Sequence, residues 1–246
     1  MTDAMRSEWI KLRTTRATVL FIFFAIAAPV VLSVLIAIFA NFDTASGTDT
    51  FTATVLGPCY LTTFFAGIVG ILGIGQEYRH NTIRVTFTSE PKRSKVLTAK
   101  LLVSTVFGLL IGLIALLLCF AVAKPILNGR DVAMGFNNPS ENVAGFVGQI
   151  VLCGLFTVLG FGLCAAVRQP AIAIPVIFVA PLVVEPIIAG FWSNGLKWLP
   201  FQAGLRIALT GEQDDFFSRI GSGLYFGAWV VVIVIVGWIL VQRRDA

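Results

Sequence analysis

Charge is scarce in this sequence. Of 246 residues, 13% are Asp, Glu, Lys or Arg and 57% are hydrophobic, whereas a soluble domain carries about 25% charged residues. So little charge cannot cover a water-facing surface, and much of the chain must face lipid. Lipid leaves the backbone only helices or a closed barrel, because every peptide group has to be satisfied internally. Histidine is nearly missing: His80 stands alone, which removes most zinc sites and Ser-His triads, and it reads as a solvated loop residue. No G-x-x-x-x-G-K-[ST] phosphate loop occurs, so ATP hydrolysis by that route is not expected on this chain. No pair of intramembrane carboxylates suggests an aspartyl-type protease. Cys59, Cys119, Cys153 and Cys164 all fall within apolar runs without metal-ligand spacing, and free cysteine behaves there as a small hydrophobe. No catalytic residue, metal site or cofactor site is expected.

What is present is long apolar segments. Six runs of about 20 residues or more lack the period-two alternation of barrel strands and read as membrane helices: about 17–40, 53–75, 96–123, 143–167, 171–191 and 223–241. The expected fold class is therefore all-α, a polytopic membrane protein. The first run is long for the apolar core of a signal peptide, and its "AIA" before Ala28-Pro29 is a poor cleavage site, so it reads as a retained span. Ahead of it, Met5, Trp9 and Leu12 recur at helical spacing while Arg6, Lys11 and Arg13 lie elsewhere on the wheel. Residues 4–16 thus read as an interfacial amphipathic helix or as a plain positive flank.

Placement of Lys and Arg sets the orientation. Thirteen of the eighteen fall in the N-terminal segment, the block between spans two and three, the Arg168 hairpin and the C-terminal tail; five lie on the other side, with seven acids. The crowded side is expected to be cytoplasmic and to hold both termini. Trp192 and Trp198 then mark the outer interface and Trp238 the inner one. The net charge of +5 serves this topology, and no nucleic-acid partner is expected.

The block "GQEYRHNTIRVTFTSEPKRSKVLTAK", Gly75 to Lys100, interrupts the hydrocarbon with a cationic stretch. It sets Ile83, Val85 and Phe87 among polar residues, then breaks at Pro91, a residue suited to a turn or a new helix start. Exposed apolar side chains beside a membrane form a candidate protein-docking surface; the basic neighbours are equally suited to anionic lipid heads. Glu77, then Asn81-Thr82-Ile83-Arg84, then Pro91, Arg93 and Lys100, resembles the permease subunits of type-2 ATP-binding-cassette exporters. "SEWIKLRTTR", Ser7 to Arg16, is similar to the interfacial helix of that family, and "WLPFQAGLRIA", Trp198 to Ala208, to its Leu-Pro segment outside the fifth span. The stretch Lys124 to Asn142 stands out as a long insert.

The resemblance covers nearly the whole chain and implies a single transmembrane permease domain over residues 1–246, in the bacterial cytoplasmic (plasma) membrane. It implies a cytoplasmic coupling loop between helices two and three, seated on a separate ABC ATPase that carries ATP and Mg. It also implies a second permease subunit, here a homodimer. Glu77, Arg79, Asn81, Thr82, Ile83, Arg84, Phe87, Pro91 and Arg93 would be the ATPase-coupling residues, with Ile83 and Phe87 as knobs and Glu77, Arg79, Arg84 and Arg93 as charged contacts or internal struts. In span five, Pro170, Pro175, Pro181 and Pro186 invite kinks. Glu185, an acid in a hydrocarbon run, points to function by default unless it reaches the headgroups. Glu185, Pro181 and Pro186 are therefore candidates for a substrate path or gate. Two other readings stay open: an ion-coupled carrier or channel that titrates Glu185, and a membrane anchor that recruits a cytoplasmic protein and moves nothing.

The glycine runs Gly67–Gly75 and Gly108–Gly112 read as close-packing faces, within the subunit or at a dimer seam. Residues 193–222 are external in this topology, either re-entrant or lying on the surface. Few polar side chains occur in the spans, a mild sign of an apolar cargo.

Overall fold

The computed structural model describes residues 2–42, 47–79, 93–134, 139–210 and 217–244. Within them the chain is helical, with no strand. Helix α1 (Thr2–Thr14) precedes the first span, α2 (Arg16–Phe39). The second span begins as α3 (Gly47–Phe51), widens into a π-helical turn at Thr52–Leu56 and continues as α4 (Gly57–Arg79). Helices α5 (Arg93–Asn128) and α6 (Pro139–Val167) follow. The fifth span is α7 (Pro170–Val179), a π-helical turn at Ala180–Val184 and α8 (Glu185–Phe191). A 3-10 turn (Ser193–Trp198) and α9 (Pro200–Arg206) lead to the last span, α10 (Arg219–Arg244). Among the described residues six helices are long and apolar enough to cross a membrane.

Burial grades these spans, with α5 intermediate at 39%. The most apolar windows of the α3–α4 span and of α6 are 78% and 61% buried, against 17–22% for α2, the fifth span and α10. So α4 and α6 form the centre, and the flanking helices turn apolar side chains such as Phe23, Val31, Leu182, Val231 and Ile235 outward.

The centre is close because its helices meet on glycine. A Cβ on Gly70 would lie 1.9 Å from the Thr157 carbonyl oxygen, and one on Gly108 would lie 2.0 Å from the Thr157 hydroxyl. Thr157 on α6 thus sits where α4 and α5 both press in, and Gly112 likewise abuts Cys153. Both glycine runs face neighbours of the same chain, as small-residue packing in membranes requires.

At two of the prolines within the helices, the carbonyl left without its helical donor is satisfied from the neighbouring helix. Pro29 in α2 cannot donate to the Ala25 carbonyl, and the Thr62 hydroxyl of α4 donates to it at 3.1 Å. Pro58 in α4 cannot donate to the Thr54 carbonyl, and the Ser33 hydroxyl of α2 does so at 2.6 Å. Buried Gln149 adds a third cross-link, donating from Nε2 to the Cys59 carbonyl at 2.7 Å. In hydrocarbon no water is at hand for these groups, so such replacements are what make the irregular turns tolerable.

Part of the long insert has a structural task. Arg130 donates to the carbonyls of Ala37 and Ala40 at 2.6 and 2.9 Å, placing a cation on the last turn of α2. The four cysteines are buried and unbridged.

Candidate functional site

At the end of the bundle that carries α1 and the close of α10, three helices meet in a knot of four charges. Glu8 comes from α1, Glu77 from the last turn of α4, and Lys100 from the second turn of α5, with Lys11 one turn beyond Glu8. The Lys100 ammonium donates to Glu8 Oε2 and to Glu77 Oε1, both at 2.7 Å. Lys11 donates to Glu8 Oε1 at 3.0 Å and to Glu77 Oε1 at 3.1 Å. Lys100, Glu8 and Glu77 are only 2%, 6% and 7% exposed, while the Lys11 side chain is half exposed. Two cations balance two anions, so the desolvation cost of each is offset by two partners.

Local sequence explains the arrangement. In α1, Glu8 shares the inward face with Leu12, which is buried, while Arg6, Ser7 and Arg13 point out. Trp9 packs on Phe107 of α5 with ring centroids 4.4 Å apart. The helix read as amphipathic thus carries an acid on its packed face. Burial works against the Lys11 ammonium, but the Glu8 and Glu77 carboxylates outweigh it and hold its pKa above the ordinary value of 10.5.

Of the residues expected to couple to an ATPase, Glu77 lies inside the knot, Arg79 is exposed at the end of α4, and Arg93 opens α5. Asn81, Thr82, Ile83, Arg84, Phe87 and Pro91 lie outside the described residues. The knot ties the two ends of that stretch together through Glu77 and Lys100, and ties both to α1. Glu8 was not singled out from the sequence, and Lys11 was read only as part of the basic face of the first helix. The available signal was an acid at i−3 from Lys11 on the face shared with Leu12, within an otherwise basic segment.

The opposite end holds Glu185, 5% exposed at the start of α8. Its two carboxylate oxygens accept from the backbone N–H groups of Phe201 and Gln202, each at 2.8 Å. These amides open α9, whose N-cap Leu199 offers no side-chain acceptor. The carboxylate therefore caps a helix and fastens it to span five. Pro181 is buried in the adjoining π turn, and Pro186 faces outward.

The fastened segment returns into the bundle. Phe201 meets Phe156 of α6 and Phe226 of α10 at centroid distances of 5.7 and 5.8 Å, and a Cβ on Gly148 would lie 1.9 Å from the Ile207 carbonyl. Phe156 is 17 residues beyond Pro139, about 25 Å along the axis of α6. Of the two readings of residues 193–222, the described part follows the one that folds back among the spans.

No protein of curated function matches the chain. The profile described as "ABC-2 family transporter protein" matches residues 4–191, from α1 through the end of span five, and so takes in both the charge knot and Glu185. With that match over more than half of the chain, and six helices long and apolar enough to cross a membrane among the described residues, the chain belongs to the ABC-2 transporter family, as a multi-pass permease subunit that partners an ABC ATPase.

Proposed function

We propose that this chain is the membrane half of an exporter in a bacterial cytoplasmic membrane, driven by ATP that a separate cytoplasmic ATPase hydrolyses with Mg. The observation that carries the reading is the charge-balanced knot of buried Glu8, Glu77 and Lys100 with half-exposed Lys11. A force applied to residues 80–92 reaches α4 and α5 at the two ends of that stretch, and the knot passes it to α1 as well. Nucleotide shifts a membrane equilibrium only if the ATPase makes different contacts in the two states. A clamp at the base of the loop turns such a difference into movement of three helices at once. The charge bias supports a cytoplasmic location for this end.

In this reading Glu77 is a strut. Arg79, Asn81, Thr82, Ile83, Arg84, Phe87, Pro91 and Arg93 supply the contact surface and its turns. Glu185 holds the returning segment, and Pro181 and Pro186 shape the span that carries it, as a gate on the far side. Two copies complete the pathway, with the outward apolar faces of the flanking helices available to a second subunit.

The test is co-purification in detergent with the cognate ATPase, followed by hydrogen exchange with and without ATP. Ile83→Asp and Phe87→Asp are expected to abolish co-purification, and its retention in both rejects the contact surface. In the assembled complex, ATP is expected to change exchange in α1 and the start of α5, and Glu8→Gln with Lys100→Gln to confine the response to the loop. An undiminished response in that double variant rejects the knot as the transmitting element.

A further inference from the structure

Beside the charge knot, a cleft of about 510 Å3 opens between the start of α2, the end of α4 and the hairpin that joins α6 to α7. Its size falls within the roughly 300–1,000 Å3 range of small-molecule sites. Its walls are of two kinds. Phe21, Leu72 and Ile174 form an apolar inner part, and Arg79, Arg168 and Gln76 stand at the rim. Leu72 precedes Arg79 by seven residues on α4, which puts about 10 Å between the apolar and cationic levels along the helix.

The rim is held in place before any ligand arrives. Arg168 takes a positive φ of 64° in the hairpin. Its guanidinium donates to the Leu240 carbonyl at 3.3 Å and lies 5.9 Å from the centre of the Tyr78 ring. Gln76 is fixed by donating to the Thr18 hydroxyl at 3.0 Å. Among the described residues no acidic side chain lines the cleft, and Arg79 and Arg168 give its rim a positive charge.

We propose that this cleft binds an anionic phospholipid of the adjoining leaflet, with the headgroup phosphate between Arg79 and Arg168 and the start of an acyl chain along Phe21, Leu72 and Ile174. Guanidinium forks match phosphate geometry, and basic pockets between membrane helices on the positive side are suited to lipid headgroups. The depth of the apolar part fits a chain that enters from the headgroup level. A soluble phosphate would leave that part empty, and a zwitterionic lipid would bring its own cation to the rim. The assignment does not rest on the direction of transport or on the ATPase contacts.

Native mass spectrometry of the detergent-purified protein, titrated with phosphatidylglycerol and with phosphatidylcholine, tests it. Phosphatidylglycerol is expected to be retained at least tenfold better. Arg79→Gln, at an exposed position, is expected to reduce that preference about fivefold, and Arg168→Lys to reduce it further. Ala171→Trp, which fills the cleft, is expected to remove retention of both lipids. Equal retention of the two lipids by the unaltered protein overturns the proposal, as does a preference that survives both Arg79→Gln and Ala171→Trp. Expulsion of bound phosphatidylglycerol when ATP is added to the complex with the ATPase makes the lipid cargo and overturns its assignment as a resident of the leaflet.

Discussion

The Ser33 hydroxyl of α2 donates to the Thr54 carbonyl of the neighbouring span at 2.6 Å, at a position where Pro58 has no N–H to offer. Removing the hydroxyl leaves a buried acceptor unmatched. Polar contacts in membranes average about 0.6 kcal/mol and reach about 1.7, so Ser33→Ala is expected to cost about 1 kcal/mol. In a Pro58→Ala background the backbone regains its donor, and the same change is expected to cost less. A double-mutant cycle on unfolding in mixed detergent reads the coupling; identical costs in both backgrounds remove the proline from the explanation.

Lys100 is expected to be the most sensitive member of the charge knot. Lys100→Met strands two buried carboxylates on half-exposed Lys11, at a cost of about 3–5 kcal/mol. Replacing the partners together, with Glu8→Met, Glu77→Leu and Lys100→Leu, leaves no uncompensated buried charge and is expected to cost less than Lys100→Met alone. Thermal melting of the purified protein decides, and a triple variant weaker than the single contradicts the desolvation account.

Lys11 gives the knot an alkaline limit. Its folded pKa lies above its ordinary 10.5 because Glu8 and Glu77 outweigh its burial. A raised folded pKa means that its contribution is complete below 10.5 and is lost as pH rises through the folded value. The melting temperature of the native chain is therefore expected to exceed that of Lys11→Met at neutral pH, with the gap closing above about pH 10.5. A gap that is constant with pH shows that Lys11 acts through its methylenes rather than its charge.

Close approach at the centre predicts a contrast between two glycines. Gly70→Ala drives a methyl to 1.9 Å from the Thr157 backbone oxygen, so α4 and α6 have to separate. The expected loss is about 1–3 kcal/mol or more. At Gly227 nothing lies within 4 Å of the added carbon, and Gly227→Ala is expected to be neutral or stabilising by about 1 kcal/mol. Equal melting temperatures for the two variants contradict the packing described.

Glu185 is expected to act on residues 16 and 17 positions away. Without its carboxylate, the Phe201 and Gln202 amides lose their acceptors. Glu185→Ala is expected to raise hydrogen exchange over residues 200–206 by at least tenfold, and Glu185→Gln by less, because one amide oxygen remains to accept. Transport that persists without any ATPase and follows pH through Glu185 favours the ion-coupled carrier instead.

The spans were legible because a run of about 20 apolar residues is a statement about solvent, and solvent does not depend on tertiary contacts. The structure lengthens the second span from 53–75 to Asp49–Arg79 and the third from 96–123 to Ser94–Asn128, since polar residues continue a helix into the headgroups. The π turn at Thr52–Leu56 was not legible: its polar Thr52 and Thr54 look like ordinary span residues until Ser33 is placed beside them. Glu185 was marked by its cost in hydrocarbon, yet its partners are backbone amides, which leave no trace in the residue code. Lys100 pairs with Glu8 across 92 positions, and such a pairing follows only from how α1 docks. The choice between seam and interior for Gly108 was settled by Thr157, a residue that no pattern connects to it.

The helix at the middle of the bundle belongs to the least apolar of the six spans. Its main support, α6, ends at Val167, 88 residues after Arg79, about 4–18 s of ribosome time at 5–20 residues per second. During that interval the glycine face of α4 has only α2 and the growing α5 for company. The newborn chain therefore passes through a stage in which its second segment sits in the bilayer half-dressed, and the speed of synthesis across residues 80–167 sets how long an insertase or a proteolytic quality-control enzyme has to find it.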